Sequence, residues 1–229
     1  LDDSFIQRPF EDLRVHFDTY ARISSKRIFS AGKENSSFMS IDARNYHAEE
    51  RLKDGSKLSI RAIRPEDKHM LQEEFKRLSP RSVYFRFFTH RDEFTEEELK
   101  YFTEVDFVRH VAIGASYNLG EGEIPVGVGR YIVPKTEAVP TSAEFAIVVA
   151  DAYRGLGIGT CLFKHLVKIA SSNGLSSLTA LVLSENLKML QLIYNSSLPV
   201  IQTTNSAGVI EIRLDLGTAD LKTTDSKTT

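Results

Sequence analysis

The stretch "AEFAIVVADAYRGLGIG", Ala143–Gly159, decides the fold. Its first eight residues are apolar except for one carboxylate, Glu144, and read as a strand. Gly155, Gly157 and Gly159 follow at alternate positions, and Ile158, Leu162, Leu166 and Ile169 then fall on one helical face up to about Ser172. A strand, a glycine loop and a helix in that order leave the first N–H groups of the helix without intrahelical acceptors. Glycine lets a ligand approach the main chain. With the helix dipole, such a loop suits a phosphate or pyrophosphate. The spacing is not the G-x-G-x-x-G fingerprint, because Thr160 stands where that motif needs glycine. It is not a P-loop either, since no Gly-Lys-Ser/Thr follows. The glycines alone would equally fit a ligand-free turn; Arg154 in front of them favours a ligand.

Strands and helices extend in both directions from this loop. "KLSIRAI" (Lys57–Ile63) alternates as a strand does. Pro65 then suits a first helical turn, and Met70, Leu71, Phe75 and Leu78 share a face. Ser79-Pro80 opens a short helix through Val83, Tyr84, Phe87 and Phe88. Its "RSVYFRFF" reads as a core face with solvated arginines rather than a nucleic-acid surface. Thr95 and Glu98 form a capping-box pattern for "EEELKYF". "VRHVAIGAS" and "IPVGVGRYIV" read as antiparallel strands around "YNLGEGE". After the glycine-loop helix come the strand "SLTALVL", the helix "SENLKMLQLIYN" with Ser184 as its expected cap, and the hairpin "VIQTT–NSAG–VIEIRLDL". The fold class is therefore α/β (α+β), a mixed sheet of about seven strands flanked by helices.

Residues 1–56 are sparse in apolar side chains and "SAGKENSSFMS" is linker-like, so they read as a partly ordered N-terminal extension. Residues 57–216 form the expected domain, and 217–229 read as a disordered tail. The first residue is Leu1 rather than a methionine, so a fragment or processed form is expected. The net charge of -2 argues against a global nucleic-acid surface. No apolar run approaches the roughly 18 residues of a membrane span. The single cysteine, Cys161, excludes an internal disulfide and a multi-cysteine zinc cluster, and fits a cytoplasmic setting. The histidines show no ligand spacing, so no metal is expected.

The run Arg154-Gly155-Leu156-Gly157-Ile158-Gly159 resembles motif A of the GCN5-related N-acetyltransferase (GNAT) superfamily, and the similarity extends over roughly Lys57–Leu216. "IRAIRPEDKHMLQEEFKRLSPRSVYFRFF", "FTEVDFVRHVAI" and "AEFAIVVADAYRGLGIG" resemble, more narrowly, the acetyltransferase module of bacterial Pat-type protein lysine acetyltransferases. The resemblance implies a GNAT fold with a mostly antiparallel sheet. It implies acetyl-CoA as donor and a protein lysine as acceptor, such as one on an acyl-CoA synthetase, acetylated by direct attack in a ternary complex. It places the CoA pyrophosphate on the main chain of Arg154, Gly155, Leu156, Gly157, Ile158, Gly159 and Thr160, with Arg154 also offsetting charge. It pairs the pantetheine arm with Val148 and Val149, and sets Asn186 against CoA; Asn186 could equally be a plain helix cap.

Glu144 is the expected general base. A lysine amine with a pKa near 10.4 is only about 0.1% neutral at pH 7.4, a handicap of about 4 kcal/mol. A carboxylate that takes the proton removes part of it, and the resemblance assigns that role to the glutamate of "AEFAI". A strand-end glutamate turned to water is the bland alternative. Glu104 and Asp106 are weaker candidates, expected to cap or solvate a helix end. The family's usual tyrosine acid falls on Ile193, with Tyr194 one residue further, and "NSSLPV" replaces its usual Gly-Phe. A general acid is therefore not assigned. Cys161 is expected to pack rather than to carry an acyl group. Two alternatives stay open: a small-molecule amine as acceptor, or a CoA-binding sensor or interaction module without catalysis.

Overall fold

Residues 41–118, 122–134, 140–204 and 208–217 are described by the computed structural model. Eight strands form one sheet: β1 (His47–Arg51), β2 (Lys57–Ala62), β3 (His110–Asn118), β4 (Glu123–Ile132), β5 (Ser142–Val149), β6 (Ser177–Leu183), β7 (Val200–Thr204) and β8 (Val209–Asp215). They lie in the order β1-β2-β3-β4-β5-β6-β8-β7. Every neighbouring pair is antiparallel except β5 and β6. Among the described residues five α-helices cover the sheet: α1 (Lys68–Lys76), α2 (Pro80–Phe87), α3 (Glu96–Thr103), α4 (Ile158–Ser172) and α5 (Leu187–Tyr194).

The two faces have separate cores. On one, α4 lays Ile158, Leu162, Leu166 and Ile169 onto the sheet, all at most 1% exposed. The helix rides close because β4 offers glycine beneath it: a Cβ at Gly129 would stand 3.0 Å from Leu166 Cδ1. On the other, α1–α3 pack Phe75, Val83, Phe94, Leu99 and Phe102 into a second cluster. The Phe94 and Phe102 rings meet edge to face at 5.0 Å. The capping box predicted at Thr95–Glu98 is present.

The boundary at residue 57 needs correction. Residues 47–51, placed in the extension from sequence, form the edge strand β1, which is why the sheet has eight strands. Four of the five β1 residues are exposed, so no apolar alternation marked the strand. It is held instead by buried flanking residues, Ala43, Tyr46 and Leu52. Tyr46 Oη lies 2.5 Å from His165 Nδ1 on α4, and His165 Nε2 lies 3.1 Å from Glu50 Oε1 on β1. Residues 1–40 of the extension, the tail beyond Gly217 and residues 205–207 of the "NSAG" turn lie outside the described residues.

Candidate active site

β5 and β6 pair only from Ser142↔Ser177 to Glu144↔Thr179, although β5 continues to Val149 and β6 to Leu183. Beyond Glu144 the two strands diverge, and a V-shaped gap opens in the sheet. The side of β5 facing β6 there carries peptide groups with no ladder partner on β6. Ala150 N–H donates to Val126 O at 2.9 Å, so by strand alternation the Val148 peptide groups face β4 while the Val149 N–H faces the gap. Of the two valines expected to offer main chain to a ligand, Val149 has the right orientation and Val148 does not.

The glycine loop stands at the mouth of this gap. Gly157 adopts φ +91°, a left-handed conformation that costs any side-chain-bearing residue strain. It is the N-cap of α4, and no side chain caps the helix. The first intrahelical bond runs from Cys161 N–H to Gly157 O, so the N–H groups of Ile158, Gly159 and Thr160 have no acceptor within the helix. Gly159 is hemmed in by α5: a Cβ there would lie 3.2 Å from Leu192 Cδ1. Arg154 is more occupied than the sequence suggested. Its Nη1 pairs with Asp151 at 2.7 Å, its Nη2 donates to Ser82 Oγ at 2.7 Å and its Nε to Val149 O at 3.3 Å. It ties the loop to the start of α2, with its charge already balanced by Asp151.

A continuous groove of about 2170 Å³ runs from this loop past Glu144 to α2 and α3. Gly155, Gly157, Ile158, Gly159, Thr160 and Asn186 all line it. Asn186, not Ser184, caps α5, its Oδ1 accepting from Met189 N–H at 3.3 Å. Glu144 is partly buried in the groove wall. It is close enough to Arg86 for its charge to oppose the desolvation that lowers the Arg86 pKa. Arg86, expected to be solvated, turns into the groove because α2 lies across the sheet face that carries Glu144. Arg130 and His110 are buried beside it, and sequence reasoning missed all three. Arg130 Nη1 stands 3.1 Å from His110 Nε2, and the guanidinium lies 4.5 Å from the Phe102 ring centroid. Burial, then Arg130 and Arg86, push His110 well below the usual histidine range, so the ring is neutral and accepts from Arg130. The one available signal was an arginine inside the strand "IPVGVGRYIV".

Other candidates fall away. Glu104 is paired with Lys68 at the end of α3. One Asp106 carboxylate oxygen accepts from the N–H groups of Val108, Arg109 and His110 at 2.8–2.9 Å, folding the turn into β3. Ile193 is fully buried, and the Tyr194 hydroxyl donates to Gln202 on β7, away from the groove lining. Cys161 does not line the groove, and burial and then Glu50 push its thiol up to about 11, which keeps it protonated. Glu50, Cys161 and His165 bring three ligand-type atoms within 4.8 Å of one another. There, both His165 nitrogens are engaged, by Tyr46 and by Glu50.

A sheet parted beside an uncapped helix start, with a carboxylate where the strands part, leaves a cleft whose free N–H groups suit a long phosphorylated ligand. The chain belongs to the Acetyltransferase (GNAT) family, whose model matches residues 70–193. It is 33% identical to a Pseudomonas aeruginosa acetyltransferase over 129 residues, 56% of this chain and 67% of that protein. Among solved structures it is similar to the GNAT domain of S. lividans PAT, at 26% identity and TM-score 0.66 over 74% of this chain and 96% of that one. Spermidine N-acetyltransferase from Vibrio cholerae, solved with CoA and spermine, shares the fold at 16% identity and TM-score 0.55, over 69% and 95% of the two chains. Among the described residues no helix is long and apolar enough to cross a membrane.

Proposed function

We propose that this acetyltransferase moves the acetyl group of acetyl-CoA to the ε-amine of a protein lysine, with Glu144 as general base. The observation that carries this reading is the parting of β5 from β6 at Glu144, within one groove shared with the uncapped start of α4. Acetyl-CoA supplies the activated acetyl thioester. The N–H groups of the loop Gly155–Thr160 and the first turn of α4 would hold its pyrophosphate, since they have polar hydrogens to offer and a dipole of the right sign. The Val149 N–H would bond the pantetheine arm as an added strand. Asn186 keeps its Nδ2 for the same ligand while its Oδ1 caps α5.

Glu144 then takes the proton that the acceptor nitrogen must lose, directly or through one water. The departing thiolate is stable enough near neutral pH that no acid from the chain is required. The restriction to a protein lysine is supported by the S. lividans PAT likeness and by the wide groove running on from Glu144 along α2 and α3. The domain is proposed to begin near Ile41, upstream of β1, and to end near residue 216. The test measures acetyl-CoA consumption with a panel of acyl-CoA synthetases and with free amines, each at the same lysine or amine concentration. Acetylation of a synthetase lysine is expected; turnover with free amines alone would replace the protein acceptor by a small molecule.

A further inference from the structure

Arg86 and Arg130 line the groove beside Glu144. Arg130 is 5% exposed, and no carboxylate among the described residues pairs with it. Its contacts are neutral ones: the Phe102 carbonyl at 3.4 Å from Nη1, the His110 ring and the Phe102 ring. Burial first, and then Arg86, push the Arg130 pKa down to about 9, so it remains cationic at neutral pH. A buried guanidinium without a counter-ion is costly, and a ligand that brings the anion removes the cost. The rest of its fork has somewhere to point. Among the described residues only Ser116 and Ser177 carry a fully buried side-chain polar atom with no partner. The Arg130 Nε and Nη2 donors, to which no acceptor among the described residues is bonded, are therefore not sealed in the core, and Arg130 lines both the groove and the smaller apolar pocket between the sheet and α1–α3.

Its position relative to the base is set by the ladder. Glu144 pairs with Ile132 and Ala146 pairs with Arg130, so Glu144 and Arg130 are diagonal neighbours on one face of the sheet. Such neighbours stand about 7–8 Å apart. Arg86 adds a second guanidinium whose charge acts on both. His110 is neutral, and the Phe102 and Phe145 rings carry no charge. Two cations therefore face one carboxylate next to the reacting nitrogen.

We propose that Arg130 is a specificity-determining residue that binds a carboxylate carried by the acceptor molecule itself, close to the amine that Glu144 deprotonates. This rests on the reading of Glu144 as the base of an amine acetyltransferase. The carboxylate is either an acidic residue flanking the acceptor lysine or the α-carboxylate of a free amino acid. A polycation such as a polyamine is disfavoured by the same charges.

The experiment uses the full chain with acetyl-CoA and peptides of one length, in which an acceptor lysine is flanked by Asp, Asn or Lys at one position at a time. For wild type, kcat/KM for the best Asp peptide should exceed that of its Asn counterpart at least tenfold, mostly through KM, with the Lys peptide poorer still. In Arg130→Met the Asp-to-Asn ratio should fall close to one, while Arg130→Lys keeps part of it. An equal loss on all peptides in Arg130→Met, or a wild-type ratio near one at every position, overturns the proposal. The wild-type comparison decides even if the variant does not fold. Free amino acids form a second arm. Selection for them, lost in their amides and in Arg130→Met, retains the carboxylate site but removes the protein acceptor. Turnover of Asp and Asn peptides at one rate retains the protein acceptor and removes the carboxylate site.

Discussion

Glu144 and Thr179 form the last rung of the parallel ladder between β5 and β6. One residue further along β5, main-chain pairing with β6 has stopped, so the carboxylate sits where a ligand can take the place of a strand. Glu144→Gln keeps the shape and removes the proton acceptor. Turnover at neutral pH should fall by roughly 10²–10⁴-fold, with acetyl-CoA affinity little changed. The deficit should narrow toward pH 10, where more acceptor amine is already neutral. Rate–pH profiles of both proteins, with thermal midpoints as a control for folding, test this; near-normal turnover at pH 7 removes Glu144 from the chemistry.

At Gly157 the main chain has φ +91°, and nothing lies within 4 Å of where a Cβ would stand. A substitution there is strained by conformation rather than by collision. Gly157→Val should re-aim the first N–H groups of α4 and weaken acetyl-CoA binding at least tenfold, about 1.4 kcal/mol. Calorimetry on the folded variant reads this directly, and an unchanged Kd would leave the loop as a mere connection.

Tyr46→Phe removes the hydroxyl that meets His165 Nδ1 and leaves a buried ring nitrogen without its partner. The cost should be about 1–3 kcal/mol, seen as a thermal midpoint several degrees lower. A chain starting at Leu52 loses β1 as well and should unfold at lower denaturant than one starting at Ile41. Equal midpoints would return β1 to the status of a dispensable extension.

The buried histidine sets a pH dependence. His110 has its pKa depressed in the folded protein, chiefly by burial and then by Arg130 and Arg86. The unfolded chain therefore binds more protons than the folded one as pH drops below the ordinary value of 6.5. Its contribution is fully present above that pH and is lost on acidification toward the folded pKa, by at most about 1.4 kcal/mol per pH unit. His165, also depressed by burial, acts in the same direction. Denaturant midpoints between pH 7.5 and 5.5 should decline for wild type and decline less steeply for His110→Asn. Parallel slopes would show that His110 does not carry the effect.

Much of this was legible in the sequence because it depends on short-range rules. The alternation in Lys57–Ala62, the box at Thr95–Glu98 and the glycines before Ile158 each specify local geometry. β1 was not legible, since its anchors are Tyr46 and Leu52 outside the strand and its own residues face solvent. Nor were Arg86 and Arg130 as neighbours of Glu144. That grouping arises from strand register and from α2 crossing the sheet, both long-range. Asn186 shows the limit from the other side: cap and ligand contact were posed as alternatives, whereas its two amide atoms permit both.

Three rungs are all that join β5 to β6, so the main-chain ladders tie two plates, β1–β5 and β6–β8–β7, at one corner, and the core under α4 carries on across both. Anything that lies in the cleft and bonds to both plates is a brace. Occupancy at a hundredfold excess over Kd would add about 2.7 kcal/mol to the folded state. The tightness of the catalytic corner would then follow the supply of donor: slack in amide exchange when donor is scarce, and firm when the next acetyl group is in place.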